Sequence, residues 1–210
     1  GFVKAVGKEF KKAVAANLVY VQEGAESQLD AALRFFISPR TAYVSGQVLR
    51  VNKLAATAVV SDVNWAQPLA GKTALVTGAS RGIGQAIALE LGRQGAVVIG
   101  TATSPAGAER IAETLKANGI EGAGLVLDVS DSESVAATLE HIQQHLAQPL
   151  ILVNNAGITR DNLMLRMKDD EWFDVINTNL NSLYRLSKAV LRGMTKARWG
   201  RIINISSVVG

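Results

Sequence analysis

The amino-acid sequence predicts an α/β fold built as a doubly wound parallel sheet. Two observations carry this. From Lys72 onward, short apolar strand-like runs alternate with longer helical stretches. That order places parallel strands in one layer and helices on both faces, joined by right-handed crossovers. The first of these runs is followed by a glycine-rich loop, TGASRGIG at residues 77–84, which opens the first helix and so has the strand–loop–helix context of a phosphate site.

Taken in order, residues 2–16 place Phe2, Val6, Phe10 and Val14 at helical spacing. NLVYV, residues 17–21, reads as a short buried strand. ESQLDAALRFFI, residues 26–37, reads as a helix ended by Ser38-Pro39, because the residue before a proline is pushed out of the helical region. AYVSGQVLRV, residues 42–51, is β-rich around a central glycine. Residues 53–70 lose any period and turn to small residues with Trp65 and Pro68, which predicts a linker lying along a surface. The main unit then gives strands at TALVT (73–77), 96–103, 122–130, ILVNN (151–155) and GRIINISS (200–207), with helices over 83–94, 105–118, 131–147 and 169–195. In such a sheet, ligands bind at the carboxyl ends of the strands.

Composition narrows the function. With 210 residues, 48% hydrophobic and 19% charged, the chain is globular and long enough to bury a core. It has no cysteine, which excludes disulfides and thiolate metal sites and is compatible with a cytoplasmic setting. His141 and His145 lie one helical turn apart without the acid of an HExxH pattern, so a solvated helix face is expected and no metal site. The net charge of +4 falls wholly in residues 1–53, with eight Lys/Arg against four acids. Lys8, Lys11 and Lys12 lack the interleaved aromatics of a nucleic-acid stacking surface. No run reaches membrane-spanning length, and no signal peptide is expected. The chain begins at Gly1 rather than Met, which leads us to expect part of a longer protein.

The glycines at 78, 82 and 84 permit left-handed backbone and let a pyrophosphate approach the helix N-terminus. Their Gly-xxx-Gly-x-Gly spacing, with LDV at 127–129 and NNAG at 154–157, resembles the short-chain dehydrogenase/reductases. The stretch GITRDNLMLRMKDDEWFDVINTNL is similar to the bacterial 3-oxoacyl-ACP reductases of that family, and the resemblance covers residues 71–210. It implies a Rossmann-like fold. It also implies cofactor contacts from Gly78, Ser80, Arg81, Gly82, Ile83, Gly84, Thr103, Asp128, Val129, Asn155, Ala156 and Gly157. NADP(H) is the expected cofactor. The strand ending VVIGTATSP carries no acid to bind ribose hydroxyls, while Arg81 offers a cation and Thr101, Thr103 and Ser104 offer hydroxyls for a 2′-phosphate.

In this family an Asn, a Ser, a Tyr and a Lys cooperate. The resemblance puts the Asn at Asn179 and the carbonyl-holding Ser at Ser207, with Ser206 beside it. The Lys would lower the pKa of the Tyr that donates the proton. YRLSK at 184–188 has the Tyr-xxx-Lys spacing but precedes Ser207 and shares a helical run with Asn179, so it is in the wrong order. Tyr184 and Lys188 are expected at the edge of a buried stripe of Leu180, Leu183, Ser187, Val190, Leu191 and Met194. The true pair would then lie beyond Gly210, and this chain alone would lack useful reductase activity, since loss of a general acid costs a factor of about 10²–10⁴.

Residues 1–52 resemble the tail of the same family, with QEGAES lacking the usual Pro-Gly and NKLAA replacing the closing Asp-Gly-Gly. The expected organisation is the C-terminal part of a degenerate reductase-like domain (1–52), a linker (53–70) and the N-terminal two thirds of an NADP-binding reductase domain (71–210), as in the high-molecular-weight, tandem-domain type. The implied activity is NADPH-dependent reduction of 3-oxoacyl thioesters on ACP or CoA in fatty-acid biosynthesis. Arg198 and Arg201 in KARWGR are candidates for carrier docking. A homo-oligomer pairing through the Asn179 helix is expected, with Leu183, Leu186 and Val190 partly exposed. The alternatives are a non-catalytic nucleotide-binding module and a reductase of another carbonyl substrate.

Overall fold

The computed structural model describes residues 1–9, 14–53 and 63–207. The expected helical residues 10–13, with Lys11 and Lys12, and half of the expected linker, 54–62, lie outside the described residues. The chain divides into two compact units, Gly1–Val63 and Asn64–Gly210.

The first unit contains α1 (Phe2–Glu9), β1 (Leu18–Val21), α2 (Leu29–Ile37) and β2 (Val48–Val51), with short 3-10 turns at Glu26–Gln28 and Pro39–Thr41. β1 and β2 pair in parallel, Leu18 opposite Val48 through Val21 opposite Val51. The β-rich run at 42–51 yields only four strand residues because the chain turns at Gly46, whose φ of +71° is left-handed. Asn17 closes that turn, donating from Nδ2 to the Val44 carbonyl and accepting from the Gln47 N–H.

The second unit runs β3 (Thr73–Val76), α3 (Gly82–Arg93), β4 (Val97–Ala102), α4 (Pro105–Ala117), β5 (Gly122–Val126), α5 (Ser132–His145), β6 (Ile151–Asn154), α6 (Asp169–Ile176), a π turn (Asn177–Asn181), α7 (Ser182–Ala197) and β7 (Arg201–Asn204). Its five strands are all parallel, in the order β5-β4-β3-β6-β7. The doubly wound sheet expected from the sequence is therefore present. Helix starts follow capping chemistry. Ser104 accepts the Gly107 N–H ahead of Pro105, and Asp131 accepts the N–H groups of Glu133 and Ser134.

Strand alternation divides the core between the two faces of the sheet. Ala74, Val76, Val98 and Val153 pack with Ile111 and Leu115 on one face. Leu75, Ile99 and Leu152 pack with Ile142, Leu186, Val190 and Met194 on the other. β3, central in the sheet, is buried at every position.

The helix expected over 169–195 is interrupted, and the stripe read from it holds only in part. A π turn accommodates one extra residue and so shifts the helical phase by about 100°. The buried residues of α7 are Ser182, Leu186, Val190 and Met194: Val190 and Met194 of the expected stripe are buried, whereas Ser182 and Leu186 stand in place of Leu183, Ser187 and Leu191. Leu180 and Leu191 are more than half exposed, Leu183 is half-buried, and Leu186 and Val190, expected to be partly exposed, are in the core.

Candidate functional site

The site is built where β3 and β6 end side by side. Thr77, buried just after β3, donates its hydroxyl to the Val153 carbonyl and accepts the N–H groups of Asn155 and Ala156, both at 3.0 Å. Asn155 answers with its side chain, donating Nδ2 to the Thr77 carbonyl at 2.9 Å and the Gly78 carbonyl at 3.3 Å. The glycine loop and the NNAG segment thus form one hydrogen-bonded assembly. Sequence reading missed Thr77, although its place at the strand end before the first glycine is the signal that marks it.

Inside this assembly the glycines have separate tasks. Gly78 has φ of +65°, and a Cβ there would stand 3.2 Å from the Ala156 Cα. A Cβ on buried Gly84 would collide with the Gly78 carbonyl, so the helix can approach the loop this closely only without a side chain. Gly82 has φ of +57° and faces open space. Arg81, extended at φ −164°, precedes α3, and no side chain caps the helix there. An open, uncapped helix start beside an exposed cation fits the pyrophosphate of a dinucleotide. Ser80 is half-buried and Ile83 exposed in the same loop.

The three hydroxyls expected near a 2′-phosphate are not equivalent. Thr103 is exposed just after β4. Thr101 is buried in the strand, and Ser104 is engaged as the cap of α4. Asp128, exposed after β5, accepts both the Ser130 N–H (2.9 Å) and the Ser130 hydroxyl (2.6 Å) on Oδ1. Val129 beside it is buried in the core.

Asn179 sits in the π turn. Its Oδ1 accepts the Ile158 N–H at 2.9 Å and its Nδ2 donates to the Ile158 carbonyl at 2.8 Å. Its amide is therefore spent on fixing the backbone next to Gly157, where a Cβ would stand 3.3 Å from Asn179 Oδ1. Ser206 and Ser207 are exposed just past β7. At the ends of β6 and β7, buried Asn154 donates to Asn204 Oδ1 at 2.8 Å.

Tyr184 is 67% exposed, more than the half-buried ring expected. The Lys188 ammonium lies over its ring, 5.5 Å from the centroid, which is a cation–π contact rather than an arrangement aimed at the phenol oxygen. Arg198 is exposed at the end of α7 in a left-handed conformation, φ 50°. Arg201 stacks on Trp199 at 4.7 Å, with Lys72 over the same ring at 4.9 Å. His141 and His145 are exposed, as a solvated helix face requires. Among the described residues no group of three or more His, Cys, Asp or Glu is placed to hold a metal, and no helix is long and apolar enough to cross a membrane.

Comparison with known proteins shows the family. Residues 72–210 match a family model described as short chain dehydrogenase. The chain is 89% identical over 142 residues to the 3-oxoacyl-[acyl-carrier-protein] reductase FabG of Pseudomonas aeruginosa, covering 68% of this chain and 58% of that protein. The Vibrio harveyi protein of the same name is 65% identical over 142 residues (68% and 57%). That of Escherichia coli is 61% identical over 140 residues (67% and 56%). The chain thus spans less than three fifths of the length of these curated relatives.

Proposed function

Because the chain belongs to the short-chain dehydrogenase family, we propose that residues 71–210 are the cofactor-holding part of an NADPH-dependent reductase. Its reaction converts 3-oxoacyl thioesters, carried on ACP or CoA, to 3-hydroxyacyl thioesters in cytoplasmic fatty-acid biosynthesis. Membership of a dehydrogenase family implies a nicotinamide cofactor. The observation that carries the finer reading is Arg81, exposed at an uncapped helix start, with Thr103 exposed at the end of β4. A cation and a hydroxyl at the ribose edge, with no acid on that strand end, favour a 2′-phosphate. The substrate class rests on the names of the relatives.

In this reading Gly78, Ser80, Arg81, Gly82, Ile83 and Gly84 cradle the phosphates. Asp128, Val129 and Thr103 bound the adenosine end, and Asn155, Ala156 and Gly157 lie under the nicotinamide half. A dihydronicotinamide held by these residues would supply hydride for the carbonyl carbon. Ser207 holds the carbonyl oxygen by a hydrogen bond. Asn179 keeps the Gly157–Ile158 backbone in place, and the proton donor is a group other than Tyr184. Residues 1–52 belong to a degenerate reductase-like domain, with 53–70 as linker. Homo-oligomers form through the exposed side of the π turn and α7, where Leu180 and Leu191 are presented.

Carrier docking falls to Arg198 and Arg201. In the complete reductase, Arg198→Glu with Arg201→Glu raises KM for an ACP-linked substrate far more than for a free thioester, and the difference shrinks with salt; equal effects remove the docking assignment. The cofactor reading is tested by titrating this chain with NADPH and NADH, following nicotinamide fluorescence. NADPH is expected to bind about 10–100-fold more tightly, the range that one or two charge-assisted hydrogen bonds supply. Failure to bind either, or preference for NADH, overturns it.

A further inference from the structure

We propose that Arg185 is a positioning residue for the adenosine half of the cofactor, holding the Asp128–Ser130 segment in place from the far side of its backbone. The inference rests on the NADP(H) reading above. The Arg185 guanidinium donates to the Ser130 carbonyl at 3.2 Å, to the Val129 carbonyl at 3.5 Å, and to Asn177 Oδ1 at 2.7 Å. Asn177 in turn donates its Nδ2 to the same Ser130 carbonyl at 2.8 Å. That carbonyl therefore receives two side-chain donors, themselves linked to each other. On the other side of Ser130, its N–H and hydroxyl both converge on Asp128 Oδ1. The carboxylate facing the nucleotide edge is oriented by Ser130, and Ser130 is fixed by Arg185 and Asn177.

None of these guanidinium partners is a carboxylate, and the side chain is half-buried. A charge held there serves as a rigid fork of donors rather than as half of an ion pair. The π turn makes the fork possible. Eight residues of uninterrupted α-helix would put Asn177 and Arg185 about 80° apart, and absorbing one residue brings them to within about 20°. The same turn carries Asn179, bonded to Ile158. One irregular turn thus anchors both the loop after β5 and the loop after β6, at the two ends of the proposed dinucleotide site.

The test is Arg185→Met, which keeps the apolar stem and removes the donors, titrated by calorimetry with 2′,5′-ADP (the phosphorylated adenosine half) and with NMNH (the nicotinamide half). Affinity for 2′,5′-ADP is expected to fall about tenfold with NMNH binding unchanged. A purely structural role would weaken both ligands together or neither. Arg185→Lys, which retains charge but not the fork, is expected to fall about threefold and carries the test if Arg185→Met does not fold. In an Asn177→Ala background the Arg185→Met loss should shrink, since the two share one carbonyl. If wild type binds 2′,5′-ADP and the Arg185 variants bind it equally well, the inference is overturned while the NADP(H) reading stands. If wild type fails to bind 2′,5′-ADP, both fall.

Discussion

Two strand-to-helix junctions in this chain share a backbone form and differ in chemistry. After β1, Gly24 turns the chain at φ +77° into the 3-10 turn that precedes α2. After β3, Gly78 does so at φ +65°, ahead of α3. In the first junction, whose helix start also lacks a side-chain cap, the glycine's own donor is already engaged. The Glu26 carboxylate accepts the Gly24 N–H at 3.1 Å. Lys53 covers the glycine, within 2.9 Å of where a Cβ would stand. In the second, no side-chain acid caps the helix start, Gly82 faces open space, and the nearby charge is the cation Arg81. A left-handed glycine before a helix is therefore not by itself an anion site. The junction must also leave its amides open and keep carboxylates away.

The contrast extends to the layers beneath. β3 has a hydrogen-bonded neighbour on each side and is buried throughout, whereas β1 and β2, among the described residues, pair only with each other and are mostly exposed or half-buried. In the proposed reading, rooting the junction in a buried central strand is what holds it in place for phosphates.

The largest effect is expected at Gly84. Gly84→Val drives a side chain into the Gly78 carbonyl and the Asn155 amide, with overpacking costs of about 1–3 kcal/mol. NADPH affinity should fall by more than about 100-fold, the loss expected when the loop itself is displaced, with a lower urea midpoint. Gly24→Ala in the first junction is the counterpart. It strains a left-handed residue at about 1 kcal/mol and should leave NADPH affinity unchanged. If both variants bind like wild type, the glycine loop is not the cofactor site.

Arg81 comes next. Arg81→Glu places an acid at the second junction, as Glu26 does at the first. NADPH affinity is expected to drop about 100-fold, and that of NADH by much less, through loss of a charge-assisted contact plus added repulsion. Arg81→Ala should lose about tenfold. Equal losses for both coenzymes would mean that Arg81 supports the loop rather than reading the 2′-phosphate.

How much of this was legible in the sequence depends on the type of signal. The sheet, the glycine loop and the NNAG segment were readable because strand–glycine–helix punctuation is local. The buried face of α7 was legible only at Val190 and Met194; the turn before it was not. One extra residue in the π turn rotates everything after it, and no residue type among Asn177–Asn181 announces that insertion. Long-range polar contacts were equally hidden. The Thr77–Asn155 assembly joins residues 78 apart, and Asn179 reaches 21 residues back to Ile158. Ser104 looked like a ligand hydroxyl, but Pro105 directly after it marks a helix start, and that local signal decided its role.

The smallest effect separates the junctions by pH. The Glu26 carboxyl is held below its usual value by its own backbone N–H and then by that of Gly24. A depressed carboxyl stabilises the fold fully above the unfolded-state value, and that contribution fades as pH falls through the lower folded value. Protection of the Gly24 amide against hydrogen exchange in the full chain should therefore decline as the solution is acidified below about pH 4.5. Glu26→Gln should lack that decline while matching acidified wild type in protection. The second junction has no side-chain acid cap, so the amides opening α3 should show no corresponding acid step until Arg81→Glu introduces one. Gly24 protection that ignores both acid and Glu26→Gln would mean that the first junction is not filled by its own carboxylate, and the distinction between the two turns would rest on Arg81 alone.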